Sequence, residues 1–140
     1  MTYLGIDYGQ KRIGLAISDP NHRFSIPFKM ILMSKTVIAE ISEIIQNKAI
    51  QRVVVGIPKS LKGIDTASTE AAQTFVDLLR TRCTIPVDTY SEVMTTQMAL
   101  KQQRTAGISQ KSGRNTIDAL AARNILDAYL QRESHHDEPT

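Results

Sequence analysis

The sequence predicts an α/β fold in which helices flank a mixed β-sheet, antiparallel on one side and parallel on the other. Two observations lead to this prediction. Three strand-like segments with short links open the chain, and helical and strand-like patterns then alternate along the rest of it. Strands joined by short links pair antiparallel, whereas strands joined through a helix pair parallel. The predicted order is three strands, helix, strand, helix, strand and two helices.

The N-terminal strands are predicted at residues 2–8, 10–19 and 25–33. In the second segment Ile13, Leu15 and Ile17 alternate with other residues, as the residues of one strand face do. The link around Gly9 suits a tight hairpin, and Pro27 favours an edge position or a strand entry for the third segment. Together these segments predict an antiparallel meander.

The remaining elements are predicted at residues 34–49 (helix), 51–57 (strand), 66–82 (helix), 86–90 (strand), 95–105 (helix) and 115–131 (helix). Ser34 and Asn115 suit the N-caps of the first and last of these helices. The run from Arg52 to Ile57 is rich in β-branched residues without polar alternation, which indicates a strand covered on both faces. Residues 106–113 are predicted to be a basic loop that contains glycine and serine.

The length and composition of the chain predict a single domain. Its 140 residues are 41% hydrophobic, which is enough for a core and too much for disorder. We expect a single domain over residues 1–133 and a flexible polar tail over residues 134–140. No apolar stretch approaches the ~20 residues that cross a bilayer, and no secretory leader opens the chain, so a cytoplasmic protein without membrane contact is expected. The single cysteine, Cys83, excludes an internal disulfide.

The charge of the chain is compatible with a polyanionic partner. A net charge of +3 is mildly basic, as in many nucleic-acid-binding proteins and many others. Aromatic residues make up 5% of the chain and tryptophan is absent, so a base-stacking platform is not expected. Phosphate contacts would then hold a nucleic acid, and the candidates are Lys11, Arg12, Lys59, Lys62 and Arg114. The alternative is that these residues only keep the surface soluble.

Asp7 is the first candidate site residue. Aspartate is disfavoured inside strands, yet Asp7 lies within a strand pattern and shares a strand face with Gly5 and Gly9. A carboxylate between two glycines has the open space that a metal or phosphate site requires. The alternative is an aspartate that begins the hairpin turn.

Two further acids follow in later elements. Glu92 comes directly after the predicted strand at 86–90, where an acid near a helix N-terminus would also be favoured by the helix dipole. Asp118 is predicted in the first turn of the last helix, on its apolar face. Asn115 and Asp118 also have the spacing of a capping box. Against that alternative, the apolar face would bury a charge that a divalent cation could balance.

The three acids are more informative together than singly, because they lie on a first strand, a later strand end and a final helix. Mg²⁺ prefers oxygen ligands, and two such ions about 4 Å apart can activate water and stabilise the leaving oxygen of a phosphodiester. Such a site needs carboxylates from different elements and no histidine or cysteine nucleophile. The sequence therefore favours a metal-dependent phosphodiesterase site at Asp7, Glu92 and Asp118.

Four stretches of the sequence resemble the motifs of a known family. They are Leu4–Gly9 with Lys11–Ala16 and Ser18–Pro20; Val53–Pro58 followed by Gly63; Glu92 with Thr95 and Thr96; and Ile117–Ala122 continuing to Ile125 and Leu126. In this order, and over nearly the whole chain, they are similar to the motifs of the YqgF/RuvX family of pre-16S rRNA nucleases. That family is distantly related to the RuvC Holliday junction resolvases.

The resemblance implies a ribonuclease-H-like fold and a nuclease that matures the 5′ end of 16S rRNA. It implies catalytic and metal-binding roles for Asp7, Glu92 and Asp118, two Mg²⁺ or Mn²⁺ ions, and structured precursor rRNA as the substrate. One motif departs from the family, because Asp-Glu-Arg is replaced by Ser91, Glu92 and Val93. An acid and a base are lost there, so the position of Glu92 or the activity could differ.

Three alternatives remain open on the sequence alone. A Holliday junction resolvase would use the same acids on branched DNA and would need a dimer, so both a monomer and a homodimer are considered. A non-catalytic nucleic-acid-binding assembly factor would accommodate the changes at Ser91 and Val93. An actin-like phosphotransferase also begins with a glycine-flanked aspartate, but 140 residues leave no room for its second lobe.

Overall fold

The computed structural model describes residues 2–21, 24–59, 66–93 and 110–137. The elements in chain order are β1 (Thr2–Asp7), β2 (Arg12–Ser18), β3 (Ser25–Leu32), α1 (Val37–Asn47), β4 (Ile50–Lys59), α2 (Ala67–Arg82), β5 (Val87–Val93) and α3 (Gln110–Asp137). The helix predicted at 95–105 lies outside the described residues. None of the described helices combines the length and the apolar character needed to span a membrane.

The five strands form one mixed sheet in the order β3-β2-β1-β4-β5. β1 pairs antiparallel with β2, and β2 with β3, whereas β4 pairs parallel with both β1 and β5. The predicted antiparallel and parallel halves are therefore confirmed. As Pro27 indicates, β3 is an edge strand, because a proline cannot donate to a second neighbour.

Helices cover both faces of this sheet. Leu4 of β1 and Val53 of β4 belong to the core cluster that contains residues of α1 and α2, while Val54 packs with Leu126 and other residues of α3 on the opposite face. Val53 and Val54 are both fully buried although they point in opposite directions. This confirms that β4 is a strand covered on both faces.

Two element boundaries differ from their sequence predictions. The N-cap of α1 is Thr36 rather than Ser34. The Ser34 hydroxyl accepts a hydrogen bond from the Thr36 backbone N–H at 3.2 Å, so Ser34 shapes the turn that precedes the helix. β5 continues to Val93 because its backbone keeps pairing with β4, and Glu92 consequently lies within the strand rather than after it.

The last helix is longer than predicted at both ends. α3 begins at Gln110, so Asn115 lies in its interior instead of capping it, and Arg114 is helical rather than in a loop. Asp118 is therefore the ninth residue of α3, beyond the first turn, and the alternative of a capping box is excluded. Extending an existing helix adds a hydrogen bond for each residue ordered, which offsets the penalty of Gly113. At its other end the helix includes residues 134–137, while the domain limit at residue 133 stays a prediction.

Candidate active site

Asp7 lies at the carboxyl end of β1, on the face covered by α3. Only 5% of the surface of Asp7 is exposed to solvent. It shares this face with Tyr3, which packs against α3, and with Gly5, whose absent Cβ would come within 2.8 Å of the Leu126 Cβ. The predicted space above Gly5 is thus filled by the helix, and Gly9 instead lies in the loop after β1. The strand neighbours of Asp7 are Gly14 and Gly56.

Gly14 brings Asp118 close to Asp7. A Cβ on Gly14 would lie 1.9 Å from the carbonyl oxygen of Asp118 and 2.4 Å from its carbonyl carbon, so only glycine lets the backbone of α3 contact the sheet here. Gly14 is also the Cα partner of Asp7 across β1 and β2, a separation of roughly 4.5–5.5 Å. Asp118 is 4% exposed. Two buried carboxylic residues therefore flank one glycine.

Glu92 occupies a backbone position two residues beyond the level of Asp7 in the sheet. Asp7 pairs with Gly56, Gly56 pairs with Tyr90, and Glu92 pairs with Pro58. Position 92 is separated from Asp7 by two strand spacings, about 10 Å across the sheet, and by two residues, about 7 Å along the strands. The side chain of Glu92 lies outside the described residues, so its membership in the site stays a prediction.

The donor set of the Asp7 and Asp118 pair suits a hard divalent cation. Carboxylate oxygens are the preferred ligands of Mg²⁺, which commonly takes one or two protein carboxylates and keeps several waters. Among the side chains that the structure describes, no group of three or more His, Cys, Asp or Glu is positioned to hold a metal ion. A site at this point would therefore rest on two carboxylates, with Glu92 as the candidate third.

Arg12 is a basic residue beside this pair. It begins β2 two residues before Gly14 and so shares the face covered by α3. Its Nε lies 4.0 Å from Oδ2 of Asp118, and the two side chains are 19% and 6% exposed. Lys11 is exposed in the preceding loop. The side chains of the other candidate phosphate ligands, Lys59, Lys62 and Arg114, lie outside the described residues.

A second polar cluster, which the sequence analysis did not identify, joins α3 to the opposite end of the parallel strands. Arg52 Nη1 donates to Asp88 Oδ2 at 2.6 Å and to the Tyr129 hydroxyl at 2.9 Å. The Tyr129 hydroxyl lies 2.5 Å from Asp88 Oδ2 and 3.1 Å from Glu133 Oε1. An aspartate inside a strand was the available signal. The cluster holds α3 against the sheet three helical turns beyond Asp118.

The protonation equilibria of this cluster follow from its contacts. Burial would raise the pKa of Asp88, but the hydrogen bonds from Tyr129 and Arg52 outweigh it and hold the pKa below its ordinary value near 3.8. Burial, reinforced by the hydrogen bond to Asp88, raises the pKa of the Tyr129 phenol. The lowered pKa favours the ionised Asp88 carboxylate, and the raised pKa favours the neutral Tyr129 hydroxyl. These are the protonation states in which the hydrogen bonds between them form.

Comparison with known proteins gives a consistent result. A family model described as RuvX, Holliday junction resolvase, matches residues 1–132. A protein of Maridesulfovibrio salexigens, named as a candidate pre-16S rRNA nuclease, is 35% identical over 136 residues that cover 94% of this chain and 99% of that protein. A protein of Desulforudis audaxviator with the same name is 35% identical over 132 residues, covering 93% and 94% of the two chains.

Two solved structures with similar folds are a RuvC protein and a Holliday junction resolvase. Thermus thermophilus RuvC has a TM-score of 0.58 at 16% identity, with 100% of both chains covered. The Fowlpox virus resolvase has a TM-score of 0.54 at 13% identity, covering 94% of this chain and 99% of that one. At these identities the likeness concerns the fold alone, and it confirms the ribonuclease-H-like architecture.

Proposed function

This chain belongs to the RuvX family of Holliday junction resolvase-like proteins, and from that premise we propose that it is a metal-dependent nuclease for structured RNA. Its proposed reaction is hydrolysis of a phosphodiester bond during maturation of the 5′ end of precursor 16S rRNA, as the names of its relatives suggest. Such a nuclease would act in the cytoplasm, where precursor rRNA is processed.

The observation that carries this proposal is the arrangement of Asp7 and Asp118 around Gly14. Two carboxylic residues that are 5% and 4% exposed place two acidic groups in one small region. Burying a carboxylate is costly, and two buried carboxylic residues side by side are expected where a cation binds. Stability alone would be served better by apolar residues at these positions.

The proposed roles follow from position. Asp7 and Asp118 would hold the divalent ion and Glu92, at the end of β5, would complete the donor set. The bound ion would supply positive charge to the scissile phosphate and activate the attacking water. Lys11, exposed in the loop beside the site, and Arg12 would bind substrate phosphates by charge. The close packing of α3 on the sheet would fix Asp118 and exclude bulk water.

A Holliday junction resolvase is the second candidate function. The fold shared with two junction resolvases favours it, and the same carboxylates would serve on branched DNA. It would require a homodimer, whereas precursor RNA cleavage is compatible with a monomer.

The replacement of the family's acid and base by Ser91 and Val93 favours a third candidate function, a nucleic-acid-binding assembly factor without nuclease activity.

Cleavage assays distinguish these candidates. Labelled precursor 16S RNA and a four-way DNA junction would be incubated with Mg²⁺ or Mn²⁺ and with wild type, Asp7→Asn or Asp118→Asn. Asp77→Asn is the matched control, because the Asp77 side chain is 74% exposed on α2, away from the site. We expect RNA cleavage by wild type and the control and its loss in both site variants. Cleavage by the site variants at the wild-type rate would refute the site, and cleavage of the junction alone would favour the resolvase.

A further inference from the structure

We propose that Arg12 is a counter-charge of Asp118 in the metal-free protein, so that Arg12 and a divalent cation oppose each other at this site. The inference rests on the proposed function, since it assumes that Asp7 and Asp118 hold the ion. It assigns to Arg12 an effect on metal affinity and on the stability of the metal-free protein, which a residue that only contacts substrate would not have.

The burial of the two carboxylates creates the need for a counter-charge. Asp7 and Asp118 are 5% and 4% exposed, and a buried carboxylate without a cation nearby is strongly destabilising. An arginine side chain carries a fixed positive charge in proteins. The Arg12 guanidinium group faces Oδ2 of Asp118 at 4.0 Å, with only 19% of the Arg12 side chain exposed. It is therefore placed to balance charge in the partly buried site.

The form of this contact suggests that it can be broken at low cost. At 4.0 Å the Arg12 Nε and the Asp118 Oδ2 form an ion pair but lie beyond hydrogen-bond distance. The ion pair between Arg52 and Asp88 differs, since Arg52 Nη1 lies 2.6 Å from Asp88 Oδ2 in a hydrogen bond. The Arg52 pair has the geometry of a fixed structural link, whereas the Arg12 pair relies on charge alone.

A divalent ion at Asp118 would face the positive charge of Arg12 at short range. Two positive charges a few ångströms apart in a partly buried site repel each other, so each weakens the binding of the other. By linkage, removing the charge of Arg12 must tighten metal binding. A guanidinium released from Asp118 would lie beside the site and could bind a substrate phosphate.

Calorimetry and thermal unfolding test the inference without substrate. Mn²⁺ would be titrated into wild type, Arg12→Gln and Arg12→Lys, with Lys35→Gln as the control because Lys35 is an exposed cation in the turn before α1. The Tm of each would be measured in EDTA and in saturating Mn²⁺. We expect Arg12→Gln to bind Mn²⁺ about tenfold more tightly, to melt about 5 °C lower in EDTA, and to gain more from Mn²⁺ than wild type. Arg12→Lys and Lys35→Gln should bind Mn²⁺ within about twofold of wild type.

A double variant keeps the test decisive if Arg12→Gln is poorly folded in EDTA. Adding Asp118→Asn removes the carboxylate that Arg12 faces, so the double variant should melt at a higher temperature than Arg12→Gln alone. Equal Mn²⁺ affinity in wild type and Arg12→Gln overturns the inference, as does an equal loss of Tm with and without Mn²⁺. A wild type that binds no Mn²⁺ refutes the metal site of the proposed function itself.

Discussion

Gly14→Ala tests whether the close contact between α3 and the sheet creates the site. The added Cβ would lie 1.9 Å from the Asp118 carbonyl oxygen, whereas ordinary contacts begin at 3.4 Å, so the two must separate by about 1.5 Å (3.4 minus 1.9). The obstacle is backbone, so no side-chain rotation relieves it. Overpacking of this kind costs roughly 1–3 kcal/mol of stability. A catalytic group displaced by about 1 Å can lose ~10²-fold in rate.

Gly56→Ala is the matched control for this prediction. Gly56 is the partner of Asp7 on its other side, but its added Cβ would meet the side chain of Ile125 (Cδ1 at 2.3 Å and Cγ1 at 2.9 Å) rather than backbone. We expect Gly14→Ala to lower the Mn²⁺ affinity and to reduce kcat/KM for RNA cleavage by about 100-fold. Gly56→Ala should lose stability while keeping its Mn²⁺ affinity. Both would be measured by calorimetry and cleavage below their unfolding temperatures, and equal Mn²⁺ affinities for the two variants would refute the reasoning.

Three further predictions concern stability. Tyr129→Phe removes the hydroxyl shared by Arg52 and Asp88 and should cost about 1–2 kcal/mol in urea unfolding, and an unchanged midpoint would contradict the role of this cluster. The pKa of Asp88 is lower in the folded than in the unfolded protein, so its contribution is present above about pH 4 and is lost as the pH falls through the folded value. Asp88→Asn should therefore be less stable than wild type at pH 6, with a smaller difference near pH 3; a constant difference would contradict the linkage. Thr69→Val removes the hydroxyl that accepts from the Thr66 N–H and donates to the Pro58 carbonyl. It should cost about 1–2 kcal/mol, and thermal unfolding indistinguishable from wild type would count against the capping interaction.

The sheet and the first two helices could be predicted because their signals are local. The amphipathic repeat of α2 and the unbroken apolar run of β4 specify both the element and its burial. Residues 66–82 were predicted as a helix, and the structure has Thr66 as the N-cap and a helix over Ala67–Arg82. The antiparallel and parallel halves of the sheet then follow from the length of the links.

The predicted boundaries that were wrong depend on structure around the local residues. β5 continues through polar residues as far as Glu92 because the neighbouring strand β4 supplies backbone hydrogen bonds, which the sequence of β5 does not show. α3 continues through Gly113 because helix propagation outweighs a local preference for a loop. In both cases the cooperative structure around the polar or turn-forming residues outweighs their local preference.

The candidate site likewise combines residues that the sequence predicts with contacts that depend on the packing of distant elements. Asp7 and Asp118 could be selected from the sequence because acids at strand and core-facing helix positions are unusual. The importance of Gly14 could not be predicted, since it depends on how closely the helix axis approaches the sheet. The ion pair of Arg12 with Asp118 likewise joins two residues from opposite ends of the chain. Sequence reasoning identified the charged groups, whereas the packing of α3 determines which of them meet.

The measurement that tests the central claim most directly is a crystal structure of the protein with Mn²⁺, in which anomalous scattering locates the ion. The account predicts an anomalous peak about 2.1 Å from carboxylate oxygens of both Asp7 and Asp118. The same density would show whether Glu92 is a ligand. A peak bound to only one of the two aspartates, or located elsewhere on the protein, would contradict the claim that they form a shared cation site.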